Sequence, residues 1–122
     1  MKIAWIAVGG GAGAVLRWLL ASAVQQRAGG AFPWGTLVVN VLGCAAIGAL
    51  ASWLTAPERE DLRLFLIVGV LGGFTTMSAF AWETVSLWDA SQAGRALLYV
   101  FVSNTLCLTA AFGGLLAARV AR

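Results

Sequence analysis

The chain has 122 residues and a net charge of +3; 61% of its residues are hydrophobic and only 11% are charged. An ordinary soluble domain is about half apolar and about one quarter charged, and a chain this short cannot bury so much apolar surface inside itself. The composition therefore excludes a soluble enzyme, a disordered chain and a disulfide-stapled secreted domain, and a charge this small and scattered excludes a nucleic-acid footprint.

The first apolar stretch, residues 3–24, is interrupted at Arg17. Its basic start and the Ala21-Ser22-Ala23 tripeptide are similar to a signal peptide with its cleavage site. Arg17, however, separates the apolar core from that site, and the stretch is long enough to span a bilayer. It is read as the first transmembrane helix. Three further runs carry no charge: residues 28–57, 64–82 and 96–118. Each offers about the 20 mainly apolar residues that a spanning helix needs. Between them lie short polar connections. Residues 25–31 hold Arg27 and Gly29-Gly30; residues 55–63 hold Pro57 and the densest charge; residues 88–95 hold Asp89, Ser91 and Gln92. All three suit interfacial turns, and Trp34, Trp53 and Trp88 fall near span ends, where amphipathic rings settle. The expected fold is an all-α membrane protein: one four-helix transmembrane domain over residues 1–122, with almost nothing outside the bilayer.

Four spans put both termini and the second connection on one side. That side carries Lys2, Arg59, Arg63, Arg119 and Arg122; the other carries Arg27 and Arg95, with Arg17 nearby. The positive-inside rule turns such asymmetry into orientation. Five against three is a weak bias. It fits a termini-inside protein, and it equally fits a chain that inserts both ways. Four short helices enclose too little protein for a pore, so a symmetric oligomer is expected. A dimer of opposite orientations is compatible with the bias without following from it.

The absence of histidine removes the usual acid/base catalyst and metal ligand near neutral pH. Of the five acids, Glu58, Glu60, Asp61 and Asp89 sit in connections, and Glu83 stands alone beside an apolar run. No carboxylate pair is available for hydrolysis, and no enzyme is expected. Cys44 and Cys107 lie far apart in sequence, give no CxxC spacing or disulfide framework, and read as small hydrophobes. Gly9 with Gly13, and Gly69 with Gly73, have the spacing that lets helices approach closely. Residues 3–14 imitate a strand followed by a dinucleotide fingerprint, but that fingerprint needs an acid about 20 residues on, and the first acid is Glu58.

Polar chemistry enters the membrane in the third span at Gly72-Gly73-Phe74-Thr75-Thr76. Glycine and threonine both weaken a helix. A break there frees carbonyls that hydrocarbon cannot satisfy, so it survives only inside protein or beside a cavity. The expectation is a break with a cation held by backbone carbonyls; the alternative is a continuous helix with a tight packing face. Beyond it, Met77 and Phe80 share a helix stripe that Glu83 continues one turn on, with Ser78 turned away. Thr36 and Asn40 are spaced i, i+4 on the second helix, as are Tyr99 and Ser103 on the fourth, which also holds Asn104, Thr105 and Thr109. Polar residues in spans face the bundle interior, where they bond across helices or line a pathway. The inventory is one of neutral donors and aromatic edges, with no buried acid cluster. Arg17 either adds a fixed positive charge near one pore mouth or snorkels to the interface as an anchor. An anion path is favoured over a cation path.

Three motifs carry a resemblance: Gly10-Gly11-Ala12-Gly13-Ala14 with Arg17; the run from Pro33 through Trp34-Gly35-Thr36 to Asn40; and the run from Gly72 through Thr75-Thr76-Met77-Ser78-Ala79 to Phe80, with Glu83 at the expected place. The chain resembles the CrcB/Fluc fluoride-channel family along all four spans. The resemblance implies a passive fluoride channel that exports the ion from a bacterial cytoplasm across the inner membrane, built as a dual-topology antiparallel homodimer with two pores. It implies a structural sodium ion at the dimer centre, held by the carbonyls of Gly72 and Thr75 from each subunit. It places Asn40, Phe80, Met77, Ser78, Thr36, Glu83, Tyr99 and Ser103 on the ion pathway. Two positions depart from the family pattern. Met77 stands where a phenylalanine is usual, losing an aromatic edge, and Ala79 stands where threonine or serine is usual. These departures leave room for a second reading, in which the chain is one subunit of a heterodimeric channel, inactive without its paralogue. A proton-coupled small multidrug exporter would need an acid in the membrane interior; helix one has none and Glu83 lies toward a span end. A non-transporting membrane partner is the remaining alternative.

Overall fold

The computed structural model describes residues 1–121; Arg122, counted in the charge balance, lies outside the described residues. The elements are α1 (Lys2–Ala28), α2 (Trp34–Trp53), a 3₁₀ turn (Pro57–Arg59), α3 (Glu60–Arg63), a π-helical stretch (Leu64–Leu71), α4 (Gly72–Phe74), α5 (Met77–Asp89) and α6 (Ala93–Val120). The pieces from Pro57 to Asp89 make one third span, so among the described residues four helices are long and apolar enough to cross a membrane. The connections are tighter than their composition suggests. α1 runs through Gln25 to Ala28 and α6 starts at Ala93, leaving residues 29–33, 54–56 and 90–92 between spans.

Local chemistry sets these boundaries. α1 stops at Gly29 and Gly30, whose φ of 66° and 73° lie in the left-handed region that glycine adopts without a Cβ penalty. Gln25 then secures the turn: its Nε2 donates to the carbonyls of Gly30 and Phe32, and its Oε1 accepts from the Gly35 amide, at 3.2, 3.1 and 3.2 Å. Pro57 opens the third span, where a missing N–H costs nothing. Lys2 Nζ meets Glu60 Oε1 at 2.8 Å, which puts the start of α1 and the second connection on the same side, as four crossings require.

Small residues decide which helices touch. A Cβ on Gly13 would strike the Val70 carbonyl and one on Gly73 the Gly10 carbonyl, so α1 and the third span meet backbone to backbone. The same holds for α2 and α6, where Gly48 sits on the Ala111 carbonyl and Gly114 on the Ala45 carbonyl. The buried apolar cluster is small (Leu37, Leu87, Ala96 and Tyr99, with Phe32, Val41, Phe80 and Val102 packed against it). Large apolar side chains such as Trp18, Trp82, Phe101 and Leu108 point outward, the pattern of a protein whose solvent on most sides is lipid.

Candidate functional site

Thr75 (φ −78°, ψ 153°) and Thr76 (φ −146°, ψ 113°) lie in extended backbone between α4 and α5. Their backbone groups are met from across the bundle. Asn40 on α2 donates from Nδ2 to the Thr76 carbonyl at 3.0 Å and accepts the Thr76 amide on Oδ1 at 2.8 Å. One carboxamide thus replaces the ladder partners that an uninterrupted helix would supply. The amide that would otherwise reach back to Gly72 is taken by Asn40. Thr76 is buried, and its hydroxyl oxygen caps α5 by accepting the Ala79 amide at 3.2 Å. It also lies 3.3 Å from the Ser78 hydroxyl. The Thr75 hydroxyl donates back to the Leu71 carbonyl at 3.0 Å.

One turn toward the α1–α2 connection, Glu83 is held between α2 and α6. The Thr36 hydroxyl donates to Oε1 at 2.6 Å and the Tyr99 hydroxyl to Oε2 at 2.7 Å. Tyr99 has no exposed surface, and its ring packs on Phe80 at 5.1 Å and edge-on to Phe32 at 5.5 Å. Short hydrogen bonds of this kind are the stronger ones in a low-dielectric setting.

Three cavities converge on these groups. One of about 420 Å³ lies between α2, the third span and α6; Asn40, Gly72, Thr75, Met77, Phe80 and Ser103 are on its wall. The Ser103 hydroxyl is buried there with no protein partner. A second, of about 520 Å³, brings Arg17 to Thr36, Thr76, Ser78 and Ala79. A third, of about 650 Å³, has Gln25, Thr36, Trp82, Glu83 and Gln92 on its wall.

The residues singled out in the sequence are therefore gathered on one seam, but not on equal terms. Asn40, Thr36, Glu83 and Tyr99 are bonded to one another's elements. Met77 is 74% exposed, whereas Phe80, on the same stripe, is half-buried against Tyr99. Asn104 and Thr109 bond back to the carbonyls of their own helix, Val100 and Thr105, on exposed faces. Sequence reasoning put Thr76 in the expected break without giving it a role of its own, and it missed the part played by Gln25. Thr76 carried a legible signal, a threonine just before a fresh apolar helix; Gln25 carried none.

Four apolar spans around a buried seam of neutral donors are those of a multi-pass membrane protein. The family model described as CrcB-like protein, Camphor Resistance (CrcB), matches residues 4–115. The chain is 47% identical over 116 residues to a protein of Geobacter sulfurreducens named fluoride-specific ion channel FluC, covering 93% of this chain and 94% of that one. Proteins with the same name from Rhizobium etli (45% identity, 90% of each chain) and Thermus thermophilus (47%, 89% and 88%) are also similar to it. The chain belongs to the CrcB/Fluc family.

Proposed function

We propose that this chain is a fluoride-specific channel that lets fluoride leave a bacterial cytoplasm passively across the inner membrane. The observation that carries this reading is the seam itself. Neutral donors from three spans line cavities inside an apolar bundle, with Ser103 offering a buried hydroxyl that no protein group uses. A small anion leaving water needs such donors in place of its hydration shell. Asn40, Phe80, Met77, Ser78, Thr36, Glu83, Tyr99 and Ser103 form the proposed pathway. Arg17 stands in the vestibule, where its charge concentrates anions.

The third span is read as broken at Thr75 and Thr76, supported by their extended dihedrals and by the Asn40 clamp. The carbonyls of Gly72 and Thr75 fit a hard monovalent cation: both residues lie where the regular ladder ends, and Gly72 is exposed, with nothing closer to an added Cβ than the Ile67 carbonyl oxygen at 3.8 Å. A sodium ion bound there would fix the centre of an antiparallel dual-topology homodimer. The exposed apolar faces and the near-even charge balance support that assembly. The second reading, a heterodimer with a paralogous subunit, is favoured by Met77, which takes the place of a phenylalanine.

The decisive experiment is fluoride efflux from liposomes that hold this chain alone, with chloride as control. Fast fluoride efflux and no chloride efflux are expected. No fluoride flux until a paralogue is added would select the heterodimer, and no flux with any partner would overturn the channel reading.

A further inference from the structure

The two cysteines, distant in sequence, are brought together. Thr36, Asn40, Cys44 and Gly48 follow one another at four-residue intervals on α2, as do Tyr99, Ser103, Cys107 and Ala111 on α6. Both ends of this double row meet: Thr36 and Tyr99 share Glu83, and Gly48 sits on the Ala111 carbonyl. The helices therefore run parallel with matching rungs, and the cysteine rung lies between. Cys44 and Cys107 thus face the same space between α2 and α6. Both are free and partly buried, and both lie on the wall of the cavity of about 420 Å³.

We propose that Cys44 and Cys107 form a dithiol site for a two-coordinate thiophilic divalent ion of the mercury(II) class, bridging α2 and α6. Soft thiolate ligands select soft metals. Among the described residues no group of three or more His, Cys, Asp or Glu is placed to hold a metal, so an ion that needs four such ligands is not served, whereas one content with two in line is. Charge favours the same class. Two S–H bonds break, two metal–sulfur bonds form and two protons leave, so a divalent ion keeps the site neutral in a medium that penalises net charge. No electron changes hands.

The test uses the reduced, purified full chain loaded with one equivalent of mercury(II) chloride, challenged with graded 2-mercaptoethanol, desalted and assayed for retained mercury. One mercury per chain is expected in the wild type. Cys44→Ser and Cys107→Ser should release theirs at about a hundredfold less competitor, because the second sulfur binds intramolecularly. Equal retention by the single variants would overturn the proposal. A second measurement needs no variant: in the loaded wild type, unfolded in denaturant, both thiols should resist maleimide, and a freely labelled thiol would sink the idea. Neither readout involves fluoride, so the outcome is separate from the channel reading.

Discussion

Asn40 is the residue on which most depends. Its carboxamide satisfies both the amide and the carbonyl of Thr76, so Asn40→Ala leaves two buried backbone groups unmet at a cost of about 1–3 kcal/mol each. A lower unfolding temperature in detergent is the expected readout. Asn40→Asp keeps the acceptor but sets an oxygen against the Thr76 carbonyl and a negative charge on the cavity wall; fluoride efflux from liposomes should be abolished. The Glu83 cluster makes a separate prediction. Tyr99→Phe keeps the ring packing and removes one donor, and Thr36→Val removes the other. Each should destabilise by about 1.5–3 kcal/mol, since a bond to a charged group is lost. Because both act on one carboxylate, the double variant should depart from additivity by at least about 0.5 kcal/mol in an unfolding cycle. The i, i+4 pairs made Thr36 and Asn40, and Tyr99 and Ser103, legible as a polar stripe. Which partner each would choose was not legible, since spacing on one helix says nothing of the facing one.

At the scale of elements, glycine governs contact. Gly114→Ala drives a methyl into the Ala45 carbonyl, whereas Gly113, its neighbour, has open space around it. Gly114→Ala should lower the unfolding temperature and the yield of folded protein, and Gly113→Ala should leave both unchanged or slightly raised, as alanine suits a helix better. The small-xxx-small pairs Gly9/Gly13 and Gly69/Gly73 announced close packing, and the structure joins those two motifs to each other. The equally tight α2–α6 contact has the same spacing in Ala45/Ala49 and Ala110/Gly114/Ala118, a signal that sequence reasoning passed over. The π-helical turn at Leu64–Leu71 had no sequence signal, because π and α windings differ by one hydrogen-bond register with the same composition.

For the whole molecule, the charge balance makes a claim about insertion. Arg27→Glu with Arg95→Glu removes two of the three basic residues of one side and should push nearly all chains to a single orientation, read by reporters fused to the C-terminus. If the channel is an antiparallel pair, fluoride efflux should fall with the minority orientation. Full efflux from a uniformly oriented population would argue against that assembly.

Sequence alone determined the membrane setting, the number of spans and the residue types on the seam, because hydrophobic length and the cost of polar groups in hydrocarbon are properties of each segment by itself. Tertiary structure alone decided that Asn40 holds Thr76, that Thr36 and Tyr99 meet on Glu83, and that Cys44 and Cys107 share one cavity wall. Those pairings join residues from different helices, and they depend on the angle and depth at which the helices pack, which no single segment encodes.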